Sequence, residues 1–411
     1  MNTPTLQFPI KITSTHFSTN KYAYYRWLRE NEPVHFSKYL SMKVCLLSRF
    51  EDCQALLKDP RFVRNRHTAT GGSKLPFPIP LPKSVKALAE SMITEDDPAH
   101  RRLKGLVHKA FTLRAINQLG ERIEALTHEL LDNAVIESKA NGSVDLMQAY
   151  SLPIPVTVIS EMMGIDAQDM PKFTKGMRIL SEGMTGWSII RTMLWDMRFL
   201  VKFIYRIIEK KRQNPSDDIL TRLIQAESDG DKLSEDELLS MVFLLIIAGY
   251  ETTVHLINNV VITLLKHPKQ LQKLRDDPEL IDSAIEEVLR FDGPIQGTKP
   301  CYALEDVTLH GVTIPKGVMV IPLLGAGNHD PDVFENPEVF DITRTPNHHL
   351  GFGQGIHYCL GAPLARLETK IAIKNLLARS PDLQLAIDPD ALEMQHMPLW
   401  VRYKRLPVVL G

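Results

Sequence analysis

The chain has 411 residues, with 48 Lys and Arg against 49 Asp and Glu, 44% hydrophobic residues and 24% charged ones. That balance is ordinary for a globular protein and excludes disordered, collagen-like and disulfide-scaffold classes. It also argues against a general nucleic-acid binder, which carries a basic excess. The four cysteines, Cys45, Cys53, Cys301 and Cys359, form no CxxC pair and no zinc spacing. A reduced, cytoplasmic setting is therefore expected. The N-terminus lacks the basic head and apolar run of a secretory signal. The strongly apolar stretch Val242 to Gly249 is less than half of the roughly 20 residues that a membrane span needs.

In chain order, residues 21–60 mix a helical pattern, Tyr22 to Arg29, with strand-like runs such as Lys43 to Ser48. Residues 66–95 carry Gly71-Gly72-Ser73 and four prolines between Pro76 and Pro82, which forbid regular structure there. Leu75, Phe77, Ile79 and Leu81 in that loop suggest that it covers something apolar. From Asp97-Pro98, a helix start, to about Phe291 the chain reads as mainly helical. Ser234 with Glu237 forms a capping box and His267-Pro268 a stop, which predicts a helix of about 30 residues. Its middle is apolar nearly all round, so it should cross the interior. After Gly293-Pro294 the texture changes to short strands, Val307 to Gly311 and Val318 to Pro322, followed by a last helix from about Leu360 to Ser380. No repeat or linker divides the chain. The expected fold class is mainly α with small β-sheets, as one domain spanning residues 1–411.

Phe352-Gly-Gln-Gly-Ile-His357-Tyr-Cys359-Leu-Gly361 is the sharpest signal. A cysteine at a helix start meets unpaired N–H groups and a dipole that stabilise its thiolate. Gly353, Gly355 and Gly361 leave room for a flat cofactor close to the backbone, and Phe352 could shield the sulfur. The second signal is Ala248-Gly249-Tyr250-Glu251-Thr252-Thr253, midway along the long helix. Gly249 weakens that turn by about 1 kcal/mol relative to Ala. A threonine there can bond back to the i−4 carbonyl and bend the helix.

These two segments resemble the haem-binding loop and the oxygen-binding helix of the cytochrome P450 superfamily, soluble bacterial type, and the resemblance covers nearly the whole chain. It implies the cytochrome P450 fold, with the long central helix over a haem b (iron protoporphyrin IX) and Cys359 as the proximal metal ligand. Thr252 and Glu251 would be catalytic, Thr252 in oxygen activation and Glu251 in gating protons from solvent. The cofactor-binding set is His100, Lys104, Phe352, Gly353, His357, Cys359 and Gly361. His100, Lys104 and His357 would be propionate partners, with Lys104 standing where the family usually has arginine. A further propionate arginine expected near Lys299–Cys301 is missing, and Lys299 or Cys301 occupies its place. Glu287 and Arg290 would be the family's buried structural pair, with Arg344 or His349 as its third member.

Substrate-pocket candidates are Leu244, Ile247, Ala248, Ile295, Thr298, Met397 and Leu399. Met162, Met163, Met170, Met177, Met184, Met193 and Met197 suggest a roomy, adaptable apolar pocket. The activity implied is a haem-thiolate monooxygenase of secondary metabolism, inserting one atom of O2 into a steroid, terpenoid, polyketide or fatty acyl substrate. No flavin or iron–sulfur motif is present, so electrons would come from an external ferredoxin or flavodoxin and its NAD(P)H-dependent reductase. Arg101, Arg102, Lys109, Arg114 and Arg366 are candidates for steering that partner. A monomer without nucleic-acid or membrane partners is expected. The alternatives are a peroxide-driven oxidase, or a non-catalytic haem-thiolate sensor or electron carrier.

Overall fold

The computed structural model describes residues 4–39, 42–72, 91–183, 197–228 and 231–411. The chain folds as two compact units, each assembled from separate stretches. The first comprises residues 1–72, 124–151 and 252–411; the second comprises residues 73–123 and 152–251.

In the first unit a five-stranded sheet runs in the order Val34–Tyr39, Met42–Leu47, Met319–Pro322, Cys301–Ala303, Phe62–Val63. All pairs are antiparallel except Met319–Pro322 on Met42–Leu47, where Val320 sits opposite Cys45. Val44, Cys45, Leu46 and Leu47 are all fully buried, so this strand is covered on both faces and reads as a continuous apolar run. Cys45 and Leu47 join a core with Phe50, Cys53 and Leu350, while Val44 and Leu46 pack with Tyr25 and Leu28. The C-terminal strand Pro407–Val409 lies between Gln384–Leu385 and Val144–Asp145 in a second, three-stranded sheet.

The second unit is helical. It holds Ala99–Ala110, Pro153–Met162, Met170–Gly183, Met197–Gln213 and Ile219–Gln225. Pro98 is the N-cap of the first of these. Met162 and Met163 are buried, whereas Met184 and Met193 lie outside the described residues. So do Leu75, Phe77, Ile79 and Leu81. The loop expected over 66–95 has regular structure at both margins. A short helix, Arg66–Thr70, is capped by the Asn65 side chain and closed by left-handed Gly71, and a single 3-10 turn spans Met92–Thr94.

The long helix is Glu235–Lys266, 32 residues, or about 48 Å at 1.5 Å per residue. The capping box forms as read. The Ser234 N–H donates to Glu237 Oε2 at 2.9 Å, and the Glu237 N–H donates to Ser234 Oγ at 3.3 Å. Every residue from Thr253 to Leu264 is buried. By length and composition this helix passes as a membrane span, which the eight-residue apolar stretch alone did not suggest. Yet 56% of its most apolar window is already buried inside the protein, as in a core helix.

Candidate functional site

The segment before the last helix is shaped by two left-handed glycines, Gly353 at φ 69° and Gly355 at φ 70°. A side chain at Gly355 would also meet the Leu57 carbonyl oxygen at 2.3 Å. The loop closes when the Cys359 N–H donates to the Phe352 carbonyl at 3.0 Å. The helix Ala362–Arg379 follows, with Gly361 as its N-cap. Cys359 therefore lies two residues ahead of the cap rather than inside the first turn.

Cys45, Cys53 and Cys301 are buried, and Cys359 alone is partly accessible. Burial pushes the Cys45 thiol up to about 12, and the Cys53 thiol higher still, so neither is a ready thiolate. A porphyrin fits this segment. It offers an accessible sulfur, a backbone bent by residues without side chains, and open space at Gly361, where an added Cβ meets nothing within 4 Å.

Two neighbouring carboxylates brace the loop. Glu287 and Arg290 are both fully buried and joined by two 2.8 Å bonds. The Arg290 guanidinium also donates to the carbonyls of Asn328, Pro337 and Val339. Arg344 is the third member, with Nε 3.2 Å from both Glu287 oxygens, and Asn347 adds a bond at 3.1 Å. His349 instead binds Glu286, at 2.9 Å. Arg366, from the helix after the loop, reaches the same Glu286 at 2.6 and 2.8 Å and lies 4.4 Å over the Phe352 ring. Burial raises the Glu286 carboxyl, but hydrogen bonds from Arg366 and His349 outweigh it and bring it down to about 2. No local pattern singles out Glu286, since its partners lie 63 and 80 residues away.

Cys301 is buried in its strand, within the core of the sheet. Lys299 keeps accessible surface. The protein packed around it, and Arg64 close by, lower its ammonium below the usual range. Arg64 donates to Thr298 Oγ1 at 3.2 Å, so an arginine does stand beside this segment, supplied by the chain just after the neighbouring strand Phe62–Val63. Nothing in the local sequence could have pointed to it.

His100, Lys104, Leu244, Ile247, Ala248 and Glu251 fall in the second unit; Thr252, Ile295, Thr298, His357, Cys359, Met397 and Leu399 fall in the first. His100 is 2% exposed. Burial and the ammonium of Lys104, one turn on, lower its imidazole, while Asp97 at 3.9 Å pulls the other way. Along the long helix, Leu244, Ile247, Ala248, Glu251 and Thr252 keep accessible surface, whereas Ile246, Tyr250 and Thr253 are buried. The spacing i, i+3, i+4, i+7, i+8 puts those five on one face. Leu399 has a left-handed backbone at φ 61°, uncommon for a residue with a γ-branched side chain. The Leu399 carbonyl accepts from the Gln296 N–H at 2.8 Å, and Ile295 bridges to Trp400. These contacts bring the segments carrying Ile295, Met397 and Leu399 together.

The family profile "Cytochrome P450" matches residues 54–380. The chain is 39% identical over 402 residues to the polyketide biosynthesis cytochrome P450 PksS of Bacillus subtilis, covering 96% of this chain and 97% of that one. It is also 39% identical to the vitamin D(3) 25-hydroxylase of Pseudonocardia autotrophica, over 96% of this chain and 95% of that one. The solved structure of PksS superposes with a TM-score of 0.90 at 37% identity, covering 98% of this chain and all of that one. P450BioI, solved with a hexadec-9Z-enoic acid ligated acyl carrier protein, superposes at 0.86 and 35% identity, over 97% of this chain and all of that one. The chain belongs to the cytochrome P450 family and has its fold. It is a cytochrome P450 monooxygenase, a haem-iron enzyme.

Proposed function

We propose that this monooxygenase holds haem b on Cys359 and oxidises an apolar molecule of polyketide, fatty acyl or steroid type. The two units act in this reading as one catalytic domain. The observation that carries it is the accessible face Leu244, Ile247, Ala248, Glu251 and Thr252 on a helix that is buried throughout from Thr253 to Leu264. Three apolar side chains and an acid–alcohol pair share that face, which suits an apolar substrate beside a proton-delivery group. Relatives named for polyketide biosynthesis and vitamin D3 hydroxylation, and a neighbour solved with an acyl carrier protein, support the substrate class. Ile295, Thr298, Met397 and Leu399 complete the pocket in this reading.

Held there, haem would supply the activation of O2 by which one oxygen atom enters a C–H bond and the other leaves as water. Cys359 supplies the thiolate. Phe352, Gly353 and Gly361 shape the wall beside it. His100, Lys104 and His357 bind the propionates. The Thr252 hydroxyl hands on a proton that the Glu251 carboxylate collects from solvent. Electrons come from a ferredoxin or flavodoxin with its reductase, in the cytoplasm, to a monomeric enzyme. Arg101, Lys109 and Arg114 are exposed enough to meet that partner, while Arg102 is tied to Glu237 and Arg366 to Glu286.

The test begins with a titration of candidate substrates, read by the shift of the Soret band. With a substrate in hand, Thr252→Ala is expected to keep consuming NAD(P)H through a surrogate redox chain. Most of the oxygen should then appear as hydrogen peroxide, because positioned acid–base groups contribute roughly 10²–10⁴-fold. Thr253→Ala, a buried neighbour, should change coupling little. Undiminished coupling in Thr252→Ala removes that residue from the mechanism. Product made with hydrogen peroxide alone, at the full rate, would favour a peroxide-driven oxidase.

Lys104→Ala is expected to speed haem loss to apomyoglobin by about ten- to a hundredfold, the loss of one charge-assisted hydrogen bond of about 1.5–3 kcal/mol. A wild-type loss rate would take Lys104 out of the propionate set.

A further inference from the structure

Beyond Thr252, the long helix carries polar side chains where a core helix normally has none. His255, Asn259 and Thr263 are buried, at 6%, 0% and 2% exposure. Each has a side-chain atom without a hydrogen-bond partner among the described residues: His255 Nδ1, Asn259 Oδ1 and Thr263 Oγ1. With Thr252 they are spaced by three, four and four residues. That places all four within about 80° of arc, along about 16 Å of helix. Asn258, on the next side, has an unpartnered amide as well.

Left dry, each orphan atom would cost about 1–3 kcal/mol, a large share of a total stability of about 5–15 kcal/mol. Buried polar atoms of this kind are normally satisfied by ordered water. The spacing suits it. Side chains three or four apart on a helix stand about 5–6 Å from one another. One water with two hydrogen bonds of about 2.8 Å spans that gap.

The surrounding protein fixes the face. Asn259 Nδ2 donates to the Asp292 carbonyl at 2.9 Å and to the Val401 carbonyl at 3.2 Å, which commits the amide nitrogen and leaves the oxygen as acceptor. The His255 ring stands edge-on to Trp400, centroids 6.5 Å apart. At the far end, His267 Nδ1 bonds the Thr263 carbonyl at 2.8 Å, beside exposed Lys266.

We propose that His255, Asn259 and Thr263 line a hydrated seam that carries protons from solvent at the end of the long helix to the Thr252 hydroxyl. This rests on the reading of Thr252 given above, and adds a second supply to that of Glu251. Monooxygenation consumes two protons and two electrons for each O2, and the seam delivers protons only. At each hop a water or the Thr263 hydroxyl gives up one proton and takes one from the water behind it, and the His255 ring takes one on one nitrogen as it releases one from the other; the Asn259 oxygen only accepts a hydrogen bond that holds its water in line. Burial and the Arg402 guanidinium draw the His255 imidazole down to about 3. It therefore stays neutral, with one ring nitrogen donating and the other accepting, and relays without trapping a charge.

The holoenzyme tests this in two ways. A high-resolution crystal structure should show water within hydrogen-bond distance of His255 Nδ1, Asn259 Oδ1 and Thr263 Oγ1; a dry seam overturns the proposal. Thr263→Val keeps the side-chain shape, and His255→Phe keeps a ring against Trp400. Both should retain haem and the wild-type carbonyl spectrum. Their substrate-driven oxygen consumption should fall about tenfold or more, with a larger solvent deuterium isotope effect. Wild-type rates and isotope effects in both variants overturn the seam. If Thr252→Ala then still uncouples, only the seam has failed; if Thr252→Ala stays coupled, the underlying reading has failed.

Discussion

Cys359→His is expected to abolish monooxygenase turnover and to move the Soret band of the reduced carbonyl complex away from the thiolate-type position. Histidine is a good iron ligand, so the variant can still hold haem. What it loses is the electron density that a thiolate pushes onto iron to favour O–O cleavage. The other three cysteines offer no substitute, since all are buried. If Cys359→His kept the wild-type carbonyl spectrum, the ligand would have to be sought elsewhere. Cys359→Ser is the companion measurement, because it alters the sulfur with little change in volume.

Glu287→Ala is expected to cost the fold rather than the chemistry. Removing one partner of a buried ion pair typically costs about 3–5 kcal/mol, because the other charge stays buried. Here two guanidiniums would be stranded, Arg290 and Arg344. The Asn347 amide and the Asp341 N–H would each lose a bond as well. The variant should accumulate poorly, melt well below wild type and carry little haem. Glu287→Gln restores shape without charge and should recover only part of the loss. Normal haem content and thermal stability in Glu287→Ala would show that the network is dispensable.

The parts of the site that could be read in the sequence are those made by neighbours along the chain. The capping box at Ser234 and Glu237 joins residues three apart, and so does the Glu287–Arg290 pair. The glycines around Cys359 announce a tight loop because few other residues adopt that backbone. What was not legible is set by distance along the chain. Choosing between Arg344 and His349 needed the fold, since each found a carboxylate, on adjacent residues. Arg64 reaches Thr298 across 234 residues, and no local pattern encodes that contact. The parallel pairing of Met319–Pro322 with the Met42–Leu47 strand likewise depends on register between remote segments. The long helix shows the opposite difficulty. Its apolar stretch is short because the polar face carrying Thr252, His255 and Asn259 interrupts it, so counting one unbroken apolar run understates how much of it is core, whereas a window averaged over the helix does not.

The left-handed backbone at Leu399 bears on how this enzyme could change over generations. Most substitutions in a packed interior reduce stability, and selection tolerates them only while a margin remains. A residue other than glycine in the left-handed region gives up about 1–2 kcal/mol. Exchange of Leu399 for glycine recovers that amount and offsets part of the packing lost with the side chain, which lies against the core around Tyr25 and Leu323. Asparagine, which tolerates the same backbone, shares some of the advantage. Enlarging the space at this point therefore draws less on the stability margin than it would at a relaxed position. In the pocket proposed above, Leu399→Gly is thus an exchange through which substrate preference can drift at reduced thermodynamic cost.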